Sequence, residues 1–140
     1  MAPRGGPVND DEDQIMRTLG EYSLLCDDGR FDEWGELFTE DARLELMGQV
    51  KTGRQAIVTY MRSVQPAGSR GIHMISGPLV EVDGSSASAS TNYLFVRPTA
   101  DGMAIVAAGR YYDQLVRDSR RWRFAERKIT ILSAPDGSDG

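Results

Sequence analysis

The stretch Gly71-Ile72-His73-Met74-Ile75-Ser76-Gly77 marks where the chain changes character. Before it, apolar residues recur at helical spacing. From Gly71 onward, runs rich in β-branched and aromatic residues are cut by turn signals. The same stretch holds the only histidine of the chain, His73, among mostly apolar neighbours as in a buried strand. An imidazole in such surroundings costs free energy unless it is hydrogen-bonded, and with no second histidine the side-chain partner to look for is a carboxylate. Asp27 is the candidate, near the end of the first predicted helix in Glu21-Tyr22-Ser23-Leu24-Leu25-Cys26-Asp27-Asp28-Gly29.

Downstream, four strands are predicted over Ile72 to Val82, Ala87 to Val96, Met103 to Val116 and Arg121 to Leu132. They are separated by Asp83-Gly84, Pro98 to Gly102 and Asp118-Ser119, the pattern of a meander. Upstream, Ile15, Leu19, Tyr22 and Cys26 give a first helix of about five turns that Gly29 can stop. Phe31, Trp34, Leu37 and Phe38 suggest a short second helix, and Gly53 to Met61 a third. Between these two, Ala42, Leu44 and Leu46 alternate with Arg43 and Glu45 as in a strand. Helices first and an antiparallel sheet after is an α+β pattern with the helices on one face. Met1 to Asp10 and Ser133 to Gly140 lack apolar periodicity and are expected to be disordered tails around one domain, Asp11 to Leu132.

A chain of 140 residues with 40% hydrophobic and 8% aromatic residues can build one core around a small-molecule pocket. The net charge of -5 and pI near 4.9 disfavour a phosphate-tracking surface. The basic run from Arg117 to Lys128 is interrupted by Asp118, Trp122, Phe124 and Glu126, so nucleic acid is not an expected partner. One cysteine cannot form an internal disulfide, and no apolar run has the length of a membrane span or the form of a signal peptide, so the cytoplasm is the expected compartment. Cys26 has one histidine as its only possible nitrogen partner, which gives no expectation of metal and reads as a small core residue. No phosphate-cradling loop or dinucleotide fingerprint is present, and Met47, Met61, Met74 and Met103 read as gap-fillers, so no cofactor is expected.

The order of elements, with particular residues, resembles the nuclear transport factor 2-like superfamily, especially its SnoaL-like branch. The residues that carry the resemblance are Tyr22 with Cys26-Asp27-Asp28-Gly29, Trp34 with Leu37-Phe38-Thr39-Glu40-Asp41-Ala42, and Gly53-Arg54-Gln55-Ala56-Ile57. Gly109-Arg110-Tyr111-Tyr112-Asp113, running into Trp122-Arg123-Phe124, completes the set. The resemblance implies a cone-shaped barrel of a curved, mixed, mainly antiparallel sheet covered by three N-terminal helices, in a homo-oligomer, dimer or trimer. It also places Asp27 and His73 where scytalone dehydratase, the bile-acid dehydratases and hexachlorocyclohexane dehydrochlorinase carry an Asp-His pair, and Tyr22 near a further catalytic tyrosine. The chain lacks the second histidine of scytalone dehydratase, which leaves the substrate open. Leu46 stands where ketosteroid isomerases place their carboxylate base, which argues against that mechanism.

For His73 the competing reading is a core histidine satisfied by a backbone carbonyl, and for Asp27 a solvated helix-end residue. A carboxylate at the negative end of a helix dipole is badly placed for stability, which a protonated His73 would relieve. Asp28 is the rival acid, placed second because Asp28-Gly29 looks like the turn itself. Tyr22 lies on the buried face of its helix, about 140° round from Asp27, and reads equally as core packing. Along the strand from Gly109 to Asp113, Tyr111 and Asp113 share a face and are candidate substrate contacts, with Tyr93 from the preceding strand; ordinary sheet packing explains all three as well. The function expected is a cofactor-independent lyase, of dehydratase type, acting on a small apolar or cyclic substrate. An isomerase or polyketide cyclase, and a non-catalytic subunit such as the small subunit of a ring-hydroxylating dioxygenase, are the alternatives.

Overall fold

In the computed structural model the described residues are 7–119 and 121–133. Three helices, α1 (Pro7–Asp27), α2 (Phe31–Gly35) and α3 (Arg54–Val64), accompany seven strands. These are β1 (Phe38–Leu46), β2 (Gln49–Thr52), β3 (Ile72–Ile75), β4 (Leu79–Asp83), β5 (Ser86–Thr99), β6 (Gly102–Asp118) and β7 (Arg121–Ile131). They form one sheet in the order β2-β1-β7-β6-β5-β3, with β4 also on β5. Every pairing is antiparallel except β1 with β7, which is parallel. This is an α+β cone, but the sheet stays open, with β2 at one edge and β3 and β4 at the other, so the barrel expected from the sequence does not close.

Four local readings are corrected. The helix α1 begins at Pro7, inside the stretch read as a tail; residues 1–6 and 134–140 lie outside the described residues. The second helix ends at Gly35, and Phe38 already belongs to β1. The strand β2 was not anticipated: Met47 and Gly48, both at positive φ, turn β1 back on itself. The run Ile72 to Val82 is not one strand but two, laid end to end along the same edge of β5. At Ser76-Gly77-Pro78 the register slips by one residue, from Ile75 opposite Tyr93 to Leu79 opposite Ser90, at a proline that has no N–H to donate.

The core lies between α1, α2, α3 and the inner face of the sheet. Ile15, Leu19, Tyr22 and Cys26 of α1 meet Trp34, Phe38, Ile57, Tyr111, Leu115 and Phe124, all buried. Two polar ties pin α1 to the β6–β7 hairpin. Buried Thr18 donates its hydroxyl to the Trp122 carbonyl at 2.9 Å, and Asp11 accepts from Trp122 Nε1 at 3.2 Å and from Arg117 at 3.0 Å. Gly109 lets β7 come close to β6, since a Cβ there would collide with the Thr130 carbonyl.

Candidate active site

The end of α1 is built as a Schellman motif: the Gly29 N–H donates to the Cys26 carbonyl at 3.0 Å and the Arg30 N–H to the Leu25 carbonyl at 2.9 Å. The motif needs a left-handed residue at its corner, which Gly29 supplies with φ 72°. The guanidinium of Arg70 fills the space a Cβ would take at Gly29. This fixes Asp27 in the last helical turn, facing the open edge of β3.

His73 sits opposite Phe95 of β5, and the two rings stack with centroids 4.4 Å apart. On the α1 side of this strand, the His73 amide N–H donates to Asp27 Oδ2 at 2.9 Å, and the ring Nδ1 lies 2.6 Å from Asp27 Oδ1. One carboxylate thus satisfies both the edge-strand amide and the imidazole. Those two donors offset the poor position of the acid at a helix C-terminus. With Nδ1–H donated to the acid, Nε2 is the free ring nitrogen, and it has no partner among the described residues. The two side chains are only 11% and 12% exposed, a partly desolvated setting in which the pair is stronger than in water. Asp28, the rival acid, is exposed and makes no side-chain hydrogen bond among the described residues.

The other residues singled out in the sequence form a second, deeper assembly. Tyr22 is surrounded by Trp34, Phe38, Tyr111 and Phe124 at centroid distances of 5.3 to 6.2 Å, and no recorded contact joins it to Asp27 or His73. Burial pushes its phenol well above the usual range. Tyr111 is 2% exposed and stacks on Tyr93 with centroids 4.4 Å apart, and burial raises both phenols. The Tyr93 hydroxyl is already committed to the Thr130 carbonyl at 3.0 Å.

Asp113, a candidate substrate contact in the sequence, is 2% exposed and paired with Arg127. Its two oxygens accept from Arg127 Nε at 2.7 Å and Nη2 at 2.8 Å, and the side chain is out of contact with solvent. Arg127, which the sequence reading did not single out, is 1% exposed, and its guanidinium lies 3.8 to 4.4 Å from the ring centres of Tyr111, Tyr22 and Phe124. Burial works against this cation, but the Asp113 charge and hydrogen bonds outweigh it and keep Arg127 ionised. Leu46, at the end of β1, packs against the core. Cys26 is fully buried beside the dyad, and burial together with the Asp27 charge pushes its thiol up to about 12.

No three metal-ligating side chains converge among the described residues. No helix among them is long and apolar enough to cross a membrane. A groove of about 720 Å³ lies along the outer face of the sheet, and neither Asp27 nor His73 lines it.

The profile of the SnoaL-like domain matches residues 8–128, nearly the whole chain. No curated protein matches the sequence. Among solved structures, a protein of unknown function from Mycobacterium tuberculosis, studied as an aspartate-to-asparagine variant, is 30% identical, with a TM-score of 0.86 over 92% of this chain and 78% of that one. A candidate scytalone dehydratase from Novosphingobium aromaticivorans is 21% identical, with a TM-score of 0.77 over 88% and 85%. The beta subunit of a candidate aromatic-ring-hydroxylating dioxygenase from the same organism is 19% identical, with a TM-score of 0.79 over 93% and 94%. At these last two identities the likeness is one of fold. With its α+β cone and a matching profile along almost its full length, the chain belongs to the SnoaL-like domain family.

Proposed function

We propose that the protein is a cofactor-independent lyase that eliminates water from a small cyclic or apolar substrate, with His73 as base and Asp27 as the residue that positions it. The observation that carries this reading is the double engagement of His73 by Asp27, which commits Nδ1 to the acid and leaves Nε2 free. A base of this kind suits a β-hydroxy carbonyl compound. Its α C–H bond breaks towards Nε2, the β C–O bond breaks, and the imidazolium returns the proton to the departing oxygen. The substrate loses one water and His73 regains its starting state. Asp27 stabilises the imidazolium in between, and proton transfer by such a group is worth about 10² to 10⁴ in rate. The fold likeness to a candidate scytalone dehydratase supports the same reaction class.

The test is turnover of a panel of cyclic β-hydroxy ketones, followed by product mass. Loss of one water with the parent protein, absent in folded His73→Gln and His73→Ala variants, is the expected result. Equal turnover by parent and variants would remove His73 from the chemistry. A product of unchanged mass, still dependent on His73, would instead indicate an isomerase or cyclase built on the same pair. The fold likeness to a dioxygenase beta subunit favours one non-catalytic reading, in which the chain co-purifies with a larger subunit and turns nothing over alone.

A further inference from the structure

Phe95 is only 7% exposed, yet it stands apart from the core. Every other buried apolar residue among those described belongs to one continuous cluster, and Phe95 does not. Its place on the inner face of the sheet accounts for this. On one side it pairs with His73 of β3, and on the other with Ala107 of β6, whose methyl group covers little. The ladder between β6 and β7 ends at Gly109 opposite Ile131, short of this row. The only ring that Phe95 meets among the described residues is the imidazole, with 4.4 Å between centroids and 29° between planes.

We infer that Phe95 is a positioning residue for His73: it holds the plane of the imidazole so that Nε2 is aimed at one point, and it gives the imidazolium formed in turnover a π face to rest on. The Asp27 bond alone does not fix that plane. It keeps Nδ1 at 2.6 Å from Oδ1, but the terminal torsion of a histidine is broad, so the ring can still tip about the bonded nitrogen. A flat partner against one face removes this freedom, and a close, tilted pair of rings is favourable beyond the area it buries.

The second effect comes with charge. An aromatic face carries partial negative charge and attracts a cation within about 6 Å of its centre, more strongly where water is excluded. His73 becomes such a cation only once it has taken the substrate's proton, in a setting where its side chain is 11% exposed. The attraction is absent when substrate meets the neutral ring and present as the proton is transferred, so it raises kcat and leaves KM alone. Its size corresponds to about 2- to 30-fold in rate. An aliphatic side chain of similar size fills the space but offers neither the flat contact nor the charge. The rate effect rests on the elimination reading, whereas the restraint on the ring does not.

Because the chain has one histidine, nuclear relaxation of the His73 ring C–H bonds measures the restraint without any substrate. Order parameters near the rigid value of about 0.85 are expected in the parent and in Phe95→Tyr, and below about 0.6 in Phe95→Leu. Equal order in the parent and in Phe95→Leu overturns the inference. With a cyclic β-hydroxy ketone that the parent dehydrates, Phe95→Leu should lose about 2- to 30-fold in kcat at a KM within about twofold, and Phe95→Tyr should restore the parent rate. A raised KM at unchanged kcat, or a Tyr variant as slow as the Leu one, shows a space-filling role and overturns it. Should Phe95→Leu fail to fold, Phe95→Met takes its place in both measurements. If no compound of the panel is dehydrated while ring order still falls in Phe95→Leu, the elimination reading fails and the positioning of His73 by Phe95 stands.

Discussion

Asp27 spends both of its carboxylate oxygens on one residue, Oδ1 on the ring of His73 and Oδ2 on its amide. The arrangement fixes where the strand lies and which ring nitrogen is protonated. Asp27→Asn separates these two effects, because an amide oxygen can still accept one N–H while its NH₂ group faces the other position. In the retained backbone bond the NH₂ would sit against Nδ1 and favour the opposite tautomer. Turnover is expected to fall by about 10² to 10⁴ with little change in substrate binding. Because the chain has a single histidine, nitrogen NMR of the imidazole reads the tautomer directly, and an unchanged Nδ1–H signal in the variant would defeat this account.

Tyr22 tests whether the deep aromatic cluster belongs to the chemistry. Its ring is held by four aromatic neighbours and by the Arg127 guanidinium, and none of these contacts reaches the dyad. Tyr22→Phe keeps the packing and should leave turnover within about threefold of the parent, well short of the 10² or more expected of a lost proton donor. Tyr22→Ala should cost about 3–5 kcal/mol of stability, as for other large aromatics in a packed core. A large loss of turnover in the folded Phe variant would return the phenol to the mechanism.

The Asp113–Arg127 pair is expected to matter for stability rather than for ligand binding. Removing one partner strands a charge in a site where both residues are at most 2% exposed, so Asp113→Ala should destabilise by about 3–5 kcal/mol. Replacing both, as Asp113→Leu with Arg127→Met, removes the charges together and should recover much of that loss. Denaturant unfolding of the single and double variants measures the difference. A single variant as stable as the parent would show that the pair is not what holds these two strands together.

Why Arg127 escaped a reading of the sequence is explained by a single extra residue. Strict alternation from Trp122 and Phe124 puts Glu126 and Lys128 inside and Arg127 outside. In the structure Leu115 pairs with Phe124 but Gln114 pairs with Glu126, so Ala125 is an unpaired bulge and the inner face passes to Arg127 and Ile129. The same device breaks Ile72 to Val82 into two strands and shifts β5 against β6 at Val106. The helices and the meander were legible because periodicity and helix-stop chemistry are local signals, whereas the pairing of Asp27 with His73, 46 positions apart, came with the family resemblance. Bulges and strand β2 depend on how neighbouring strands fit together, and the parity of single residues after a bulge is lost to any pattern that counts in twos.

Alkaline pH should unfold the protein through groups that the core keeps neutral. Burial raises Cys26 to about 12 and raises Tyr22 and Tyr111 above the usual phenol range. A group whose ionisation is suppressed by folding contributes stability that is complete below its unfolded value and is lost as pH rises towards its folded one. For Cys26 that window runs from the ordinary thiol value of about 8.5 in the unfolded chain to about 12 in the folded one. Stability should therefore decline steadily above about pH 9, with the tyrosines adding to the loss above about pH 10. The same burial predicts that Cys26 resists a thiol reagent at pH 8 in native protein and reacts fully in denaturant. Prompt labelling of the native thiol, or flat stability from pH 8 to 11, would contradict the closed packing around α1.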